Sequence, residues 1–504
     1  MAYERILEKY KESTILDSIW KVMSWDTYTA LPSGAVSQRA EQNAVFGKFI
    51  TRLITDEEMG RLLNEIGQRD AYTSLGKLEQ RNVDLIKETY DLWTQLPEEL
   101  RGRRFKQRTI TNNARERALA KNDWSIFEPE LKVMFSVMQE MSEHLMEVTG
   151  VTTHYDVQVD WFQRGIRADQ YVKIFDELKK KLPQMIEKYA EVSGSVRADF
   201  LARKVAKSKQ KEMIEALAKY VGYDIHSDNA IGILGESVHP MSIGSYDDVR
   251  ISVNYKEENF FEACQAFIHE AGHAIYEINL NRDWKYQPIG EPNGFGVHES
   301  QSKFMENVIG RSPEFIEYFL PIVNRITDNQ FADVSVDEFV QAINRVNPGP
   351  IRVTSDELTF LLHIIVRFEI EKDLFEGKLE ISEIPLIWKD LYEKYLRVSV
   401  KSDAEGVLQD LHWGVGQFGH FPVYALGNIF AAQLSETMEK EIPDWKSGVR
   451  KGNISNIIEW MSVNVHRKGS LYDAPEWIEQ VTGQKMSSKP FINYLDKKYS
   501  EIYG

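Results

Sequence analysis

The sequence predicts a mainly α-helical protein, one large unit with lobes, carrying a small antiparallel β-sheet beside one long, proline-free helix. Three observations predict it. Amphipathic runs with only short Pro- and Gly-containing breaks fill most of the 504 residues. Period-two alternation is confined to the stretch between Gly235 and Tyr255, where Val249, Ile251 and Val253 alternate with Arg250, Ser252 and Asn254. Directly after it, residues 257–283 contain no proline, and Phe260, Phe261, Cys264, Phe267, Ile268, Ala271, Ile275 and Ile278 recur at helical spacing.

Taken in order, Ala2 to about Val148 reads as long helices punctuated at Leu31-Pro32-Ser33-Gly34, Leu75-Gly76 and Leu96-Pro97. Seven Arg and Lys residues between Glu99 and Lys121 stand out in an acidic chain; they fit a solvated helix face or a region that attracts anionic peptide ends. The helical pattern continues from Val151 to Val221, with Asp169-Gln170-Tyr171 opening a helix. The strand and the proline-free helix follow. A Gly- and Pro-rich loop, Gln287 to Gly296, then leads into a helix opened by Val297-His298-Glu299. Helices resume, with breaks at Asn347 to Pro350, Gly414 to Gly419 and Gly469 to Pro475, and a short aromatic tail from Pro490 docks on the body. No repeat and no low-complexity linker divides the chain, so residues 1–504 form a single domain.

The 42% hydrophobic content and eleven Trp supply a large core, and a 27% charged fraction suits a soluble surface. A formal net charge of -16 opposes polyanions, which argues against nucleic acid as a partner. The one cysteine, Cys264, cannot form an internal disulfide, and its apolar neighbours predict a buried thiol, in keeping with a reducing cytoplasm. The start Met1-Ala2-Tyr3-Glu4-Arg5 is unlike a signal peptide, and no uncharged apolar run approaches the length of a membrane span.

The chemistry centres on His269-Glu270-Ala271-Gly272-His273. Two histidines four apart project from one helix face, so both imidazoles can reach one cation with Glu270 beside them. The plainer alternative is two histidines satisfied by their neighbours on the helix. A catalytic zinc site has three protein ligands and an open position. Tyr276 and Asn279 occupy the places where one major class would have its glycine and third histidine. Glu299, 26 residues after His273, is the best third ligand, with a surface position as its alternative; its neighbour His298 points elsewhere on the helix. Ligation by His269, His273 and Glu299 would acidify water, with Glu270 placed to accept its proton and return it to a leaving nitrogen. His412 and Tyr424, near the Gly-rich segment, are candidate oxyanion donors or ordinary structural residues.

These residues, together with Trp25-Asp26, His239-Pro240, Asp248-Val249-Arg250, His298 to Ser302, Ile351-Arg352-Val353, Gly406 to Trp413 and Phe421 to Asn428, resemble the Taq-type thermostable metallocarboxypeptidases nearly end to end. The resemblance implies a mostly helical, deep-grooved homodimer that removes single residues from peptide C-termini. It implies one divalent metal ion per chain, zinc or alternatively cobalt, held by His269, His273 and Glu299, with Glu270 as base and acid. It strengthens the oxyanion role for His412 and Tyr424, and offers Arg352 and Arg250 as readers of the substrate's terminal carboxylate, with structural ion pairs as the alternative. His239 would line the groove or shape a turn. Departures from the family pattern at Met241, Ser252, Phe360, Leu361 and His420 bear on subsite preference and leave the ligands and base intact. An oligopeptidase or dipeptide-releasing peptidase on the same site is the nearest alternative activity. A non-catalytic metal- or peptide-binding protein is the alternative of another class, and the absence of a fourth Cys or His ligand at suitable spacing argues against it.

Overall fold

The computed structural model describes residues 2–504. Helices form where the apolar spacing demands them. The first runs Ala2–Thr29 and stops before Pro32, whose ring disfavours helix at the residue before it. Helices Val36–Ile54, Glu57–Ile66, Arg69–Thr73, Lys77–Gln95 and Glu98–Lys121 follow. The break between the first two of these lacks Gly and Pro. It is fixed instead by Asp56, whose carboxylate accepts a hydrogen bond from the Met59 amide and caps the next helix.

In the arginine-rich helix, Arg103, Arg108 and Arg117 are exposed, as a solvated face requires. Arg115 turns inward, donating Nη1–H to the Leu408 carbonyl at 2.9 Å.

The sheet has three strands, β1 (Gly232–Glu236), β2 (Met241–Ser245) and β3 (Asp248–Val253), in the order β1-β3-β2. It is mixed rather than wholly antiparallel. β2 pairs antiparallel with β3, but β1 pairs parallel with it, Gly232 opposite Val249. Val249, Ile251 and Val253 bury completely against the metal-motif helix Phe260–Ile278, as their alternation predicts.

One continuous hydrophobic core runs from Leu96 to Tyr499 and is threaded by the helix Glu357–Phe375, which is buried nearly all round. A smaller cluster of Ile6, Met59, Leu63, Ile66, Val83 and Ile86 holds the N-terminal helices together. The tail forms the helix Lys489–Tyr503. It docks through Lys498, whose Nζ donates to Glu357 Oε2 at 2.6 Å and to the Asn307 carbonyl at 3.0 Å. Among the described residues no helix is long and apolar enough to cross a membrane.

Candidate active site

Two helices and a π-helical turn build the site. The motif helix buries Phe267, Ile268, Ala271 and Ile275, which leaves His269 and His273 on its remaining face. After the loop, the ligand helix begins at Gly294, three residues earlier than the sequence reading, and runs to Lys303. It passes directly into a π-helix, Phe304–Ile309, a rare turn that often marks functional sites.

Two glycines set how closely the helices approach. A Cβ on Gly272 would lie 2.4 Å from the Gln301 carbonyl oxygen, and one on Gly427 would lie 2.3 Å from Glu299 Cγ. Gly427 belongs to the helix Phe421–Glu441, so the ligand helix is wedged between two bare backbones.

Ligand atoms of His269, His273 and Glu299 all lie within 4.8 Å of one another, and His273 Nε2 is 3.6 Å from Glu299 Oε2. The far nitrogens of both rings are engaged. His269 Nδ1 lies 2.8 Å from Glu306 Oε2, and His273 Nδ1 lies 3.1 Å from the His298 carbonyl oxygen, which only accepts. Each ring therefore turns Nε2 inward, as a divalent metal requires, and the donor set of two imidazoles and one carboxylate fits such an ion.

Glu306 was not foreseen, although it lies seven residues after Glu299 on the same side of a helical stretch. It also accepts from Lys303 Nζ at 2.8 Å and Arg311 Nη2 at 3.3 Å. Burial alone would raise its carboxyl, but Lys303, His269 and Arg311 outweigh that and hold it well below the usual range.

Glu270 is 8% exposed, and burial raises its carboxyl above the ordinary value, with His269 pulling the other way. His298 lies outside the three-residue cluster but does not point away from it as the sequence reading has it, since its ring stacks on that of His273. Its Nδ1 is 2.7 Å from His273 Nδ1.

His412 and Tyr424 come together, with His412 Nε2 3.2 Å from the Tyr424 hydroxyl. Burial, reinforced by His420, holds His412 well below its ordinary value and so neutral. Burial pushes Tyr424 up to about 12, so its O–H persists as a donor at neutral pH. Tyr424 sits one turn before Gly427, which packs on Glu299, and this brings the pair to the ligand cluster. His420 packs against this pair, tilted against His412 and edge-on to Tyr424, its ring centre 5.1 Å from the former and 5.0 Å from the latter.

Both candidate arginines hold carboxylates. Arg250 pairs with Asp248 through Nε and Nη2 at 2.7 and 2.8 Å. Arg352, 8% exposed, uses Nε and Nη2 on Asp410 Oδ1 at 2.9 and 2.8 Å, and its Nη1 takes no part in that pair. Asp410 is shared with the fully buried Arg367, and these two cations outweigh burial and hold it well below its usual range. His239 is exposed on the turn between β1 and β2, where its carbonyl accepts from the Ser237 hydroxyl.

The family profile described as carboxypeptidase Taq (M32) metallopeptidase matches residues 5–499. The chain is 33% identical to "Carboxypeptidase 1" of Bacillus subtilis over 96% of its length and 95% of that protein's. It is 32% identical to "Thermostable carboxypeptidase 1" of Thermus thermophilus, covering 100% of this chain and 99% of the relative. Among solved structures, the M32 carboxypeptidase of Deinococcus radiodurans R1 superposes with a TM-score of 0.95 at 30% identity, covering 100% of this chain and 99% of the other.

Proposed function

The chain belongs to the carboxypeptidase Taq (M32) metallopeptidase family and is a metal-dependent carboxypeptidase acting on peptides; on that premise we propose that His269, His273 and Glu299 hold one divalent ion per chain. Zinc is the ion proposed, with cobalt as its substitute. The observation that carries this assignment is the convergence of the three ligand residues within 4.8 Å, each ring backed at Nδ1 by a hydrogen-bond partner.

The ion, when bound, supplies Lewis acidity toward the scissile carbonyl and lowers the pKa of water. The protein's own groups do the rest. Glu270, buried beside the ligands and raised in pKa by that burial, takes the proton of the attacking water and delivers it to the leaving nitrogen. His412 and Tyr424 are the proposed oxyanion pair: with His412 donating from Nε2 to the Tyr424 oxygen, the Tyr424 O–H would be free to meet the oxyanion, and His412 would act through it.

Arg352 is the proposed reader of the terminal carboxylate, because Asp410 fixes its guanidinium while Nη1 stays outside that pair. Arg250 is the second candidate. For His239 the contacts favour the turn, and the groove-lining role rests on the resemblance alone. The continuous core supports one catalytic unit of 1–504 with lobes. The cytoplasmic setting is supported by the single buried thiol, and the homodimer by the resemblance.

The Glu270→Gln substitution tests the assignment. Metal content should match wild type while kcat falls about 10²- to 10⁴-fold. Turnover at the wild-type rate would contradict it.

A further inference from the structure

We propose that Glu277 and His298 are positioning residues that select the metal-ready tautomer of His273. The proposal rests on the metal assignment above but concerns residues outside the ligand set. Glu277 lies one turn beyond His273 on the motif helix and is 9% exposed. Its Oε1 is 3.1 Å from His298 Nε2. A carboxylate only accepts, so the His298 hydrogen sits on Nε2 and its Nδ1 presents a lone pair. That Nδ1 lies 2.7 Å from His273 Nδ1, where two lone pairs would repel, so the hydrogen between them belongs to His273.

The other end of the chain agrees. The His298 carbonyl, 3.1 Å from the same His273 nitrogen, can only accept. His273 is thereby a donor at Nδ1 and carries its lone pair on Nε2, the atom 3.6 Å from Glu299 Oε2.

Remove the acceptor at Glu277, and His298 is free to carry its hydrogen on Nδ1. That hydrogen would meet the His273 Nδ1–H across 2.7 Å, so either the His298 ring turns away or His273 gives up its bond to the His298 carbonyl and carries its hydrogen on Nε2, where it blocks ligation. The carboxylate of Glu277 thus acts on the metal through two rings whose centres are 4.5 Å apart. Glu277 also borders a cavity of about 290 Å³ that is lined by Lys21, Arg250, Tyr286 and Glu291, and its Oε2 is buried without a hydrogen-bond partner among the described residues. Among the described residues the one hydrogen bond of its carboxylate is therefore that to His298.

The experiment has two readouts. Long-range ¹⁵N–¹H spectra of the metal-free, histidine-labelled protein report tautomers, and chelator competition gives the zinc Kd. Wild type should show hydrogen on His273 Nδ1 and His298 Nε2. Glu277→Leu should lose the wild-type pair of tautomers, with hydrogen appearing on His298 Nδ1, and show a zinc Kd weaker by about 10- to 100-fold. Glu277→Gln, whose amide oxygen can still accept, should fall between them. Wild type carrying the His273 hydrogen on Nε2 would overturn the proposal, as would both variants binding zinc as tightly as wild type. If Glu277→Leu does not fold, the wild-type spectrum and Glu277→Gln decide alone. Wild type binding no zinc would instead overturn the metal assignment, and this proposal with it.

Discussion

Arg352 and Arg250 share a chemistry but differ in setting, and the proposal that Arg352 reads the substrate rests on that difference. Arg250 spends Nε and Nη2 on both oxygens of Asp248, a neighbour two residues away on the same strand, and this closes the fork a second carboxylate would need. Arg352 places two nitrogens on a single oxygen of Asp410 and stands 5.3 Å from the Tyr424 ring centre, beside the oxyanion pair. Arg352→Met should therefore cut kcat/KM on free peptides by about 2–5 kcal/mol of transition-state stabilisation and leave amidated peptides unaffected. Arg250→Met should keep the distinction between the two substrates. Loss of that distinction in Arg250→Met alone would reverse the assignment.

At the scale of elements, the site depends on how three helices are spaced. Gly427→Ala would put a methyl within 2.3 Å of Glu299 Cγ, so either the carboxylate or the helix Phe421–Glu441 must shift. Overpacking of this kind costs about 1–3 kcal/mol. The variant should be less stable and weaker for zinc, measured by thermal unfolding and chelator competition; wild-type affinity would show that the close approach does not set the ligand.

The Gly-rich segment after His412 is held by another buried group. Glu371 accepts from Trp413 Nε1 at 2.7 Å, from the Gly419 amide at 2.8 Å and from the Tyr155 hydroxyl at 2.9 Å. Burial nevertheless raises its carboxyl from 4.5 to about 7. A raised carboxyl favours folding while protonated, so this contribution is present below pH 4.5 and is lost as pH rises toward 7. The loss amounts to about 3 kcal/mol. Glu371→Gln, which cannot titrate, should gain on wild type by that amount in denaturant unfolding between pH 4 and 8, and a pH-independent difference would contradict it.

Much of this was legible in sequence. The three- and four-residue spacing from Phe260 to Ile278 defined the motif helix, and the alternation of Val249, Ile251 and Val253 defined β3. Strand β1 was not legible, because Gly232-Ile-Leu-Gly-Glu236 is too short to alternate. Its glycines instead leave room for Tyr223 and Trp25, whose rings lie 2.6 and 2.4 Å from where Cβ atoms would stand. Asp410, shared by arginines 58 and 43 residues away in sequence, carries no local signal at all.

For the whole molecule, net charge and core agree with a peptidase that works as one body. A charge of -16 opposes the approach of polyanions, while the cations near the candidate site are withdrawn from solvent, Arg352 and Arg367 buried and Lys303 partly so. The continuous core gives the three proposed ligands, His412 with Tyr424, and the arginines one frame, and the C-terminal helix braces the π-helix through Lys498 on the Asn307 carbonyl. Rigid placement is what turns a general hydrolytic site into one that acts only at a chain end. The direct test is a mass-spectrometric digest of one peptide in two forms, free and C-terminally amidated, with the zinc-loaded protein. The account predicts stepwise loss of single residues from the C-terminus of the free peptide and resistance of the amidated one. Internal cleavage of both forms, or loss from the N-terminus, would contradict it.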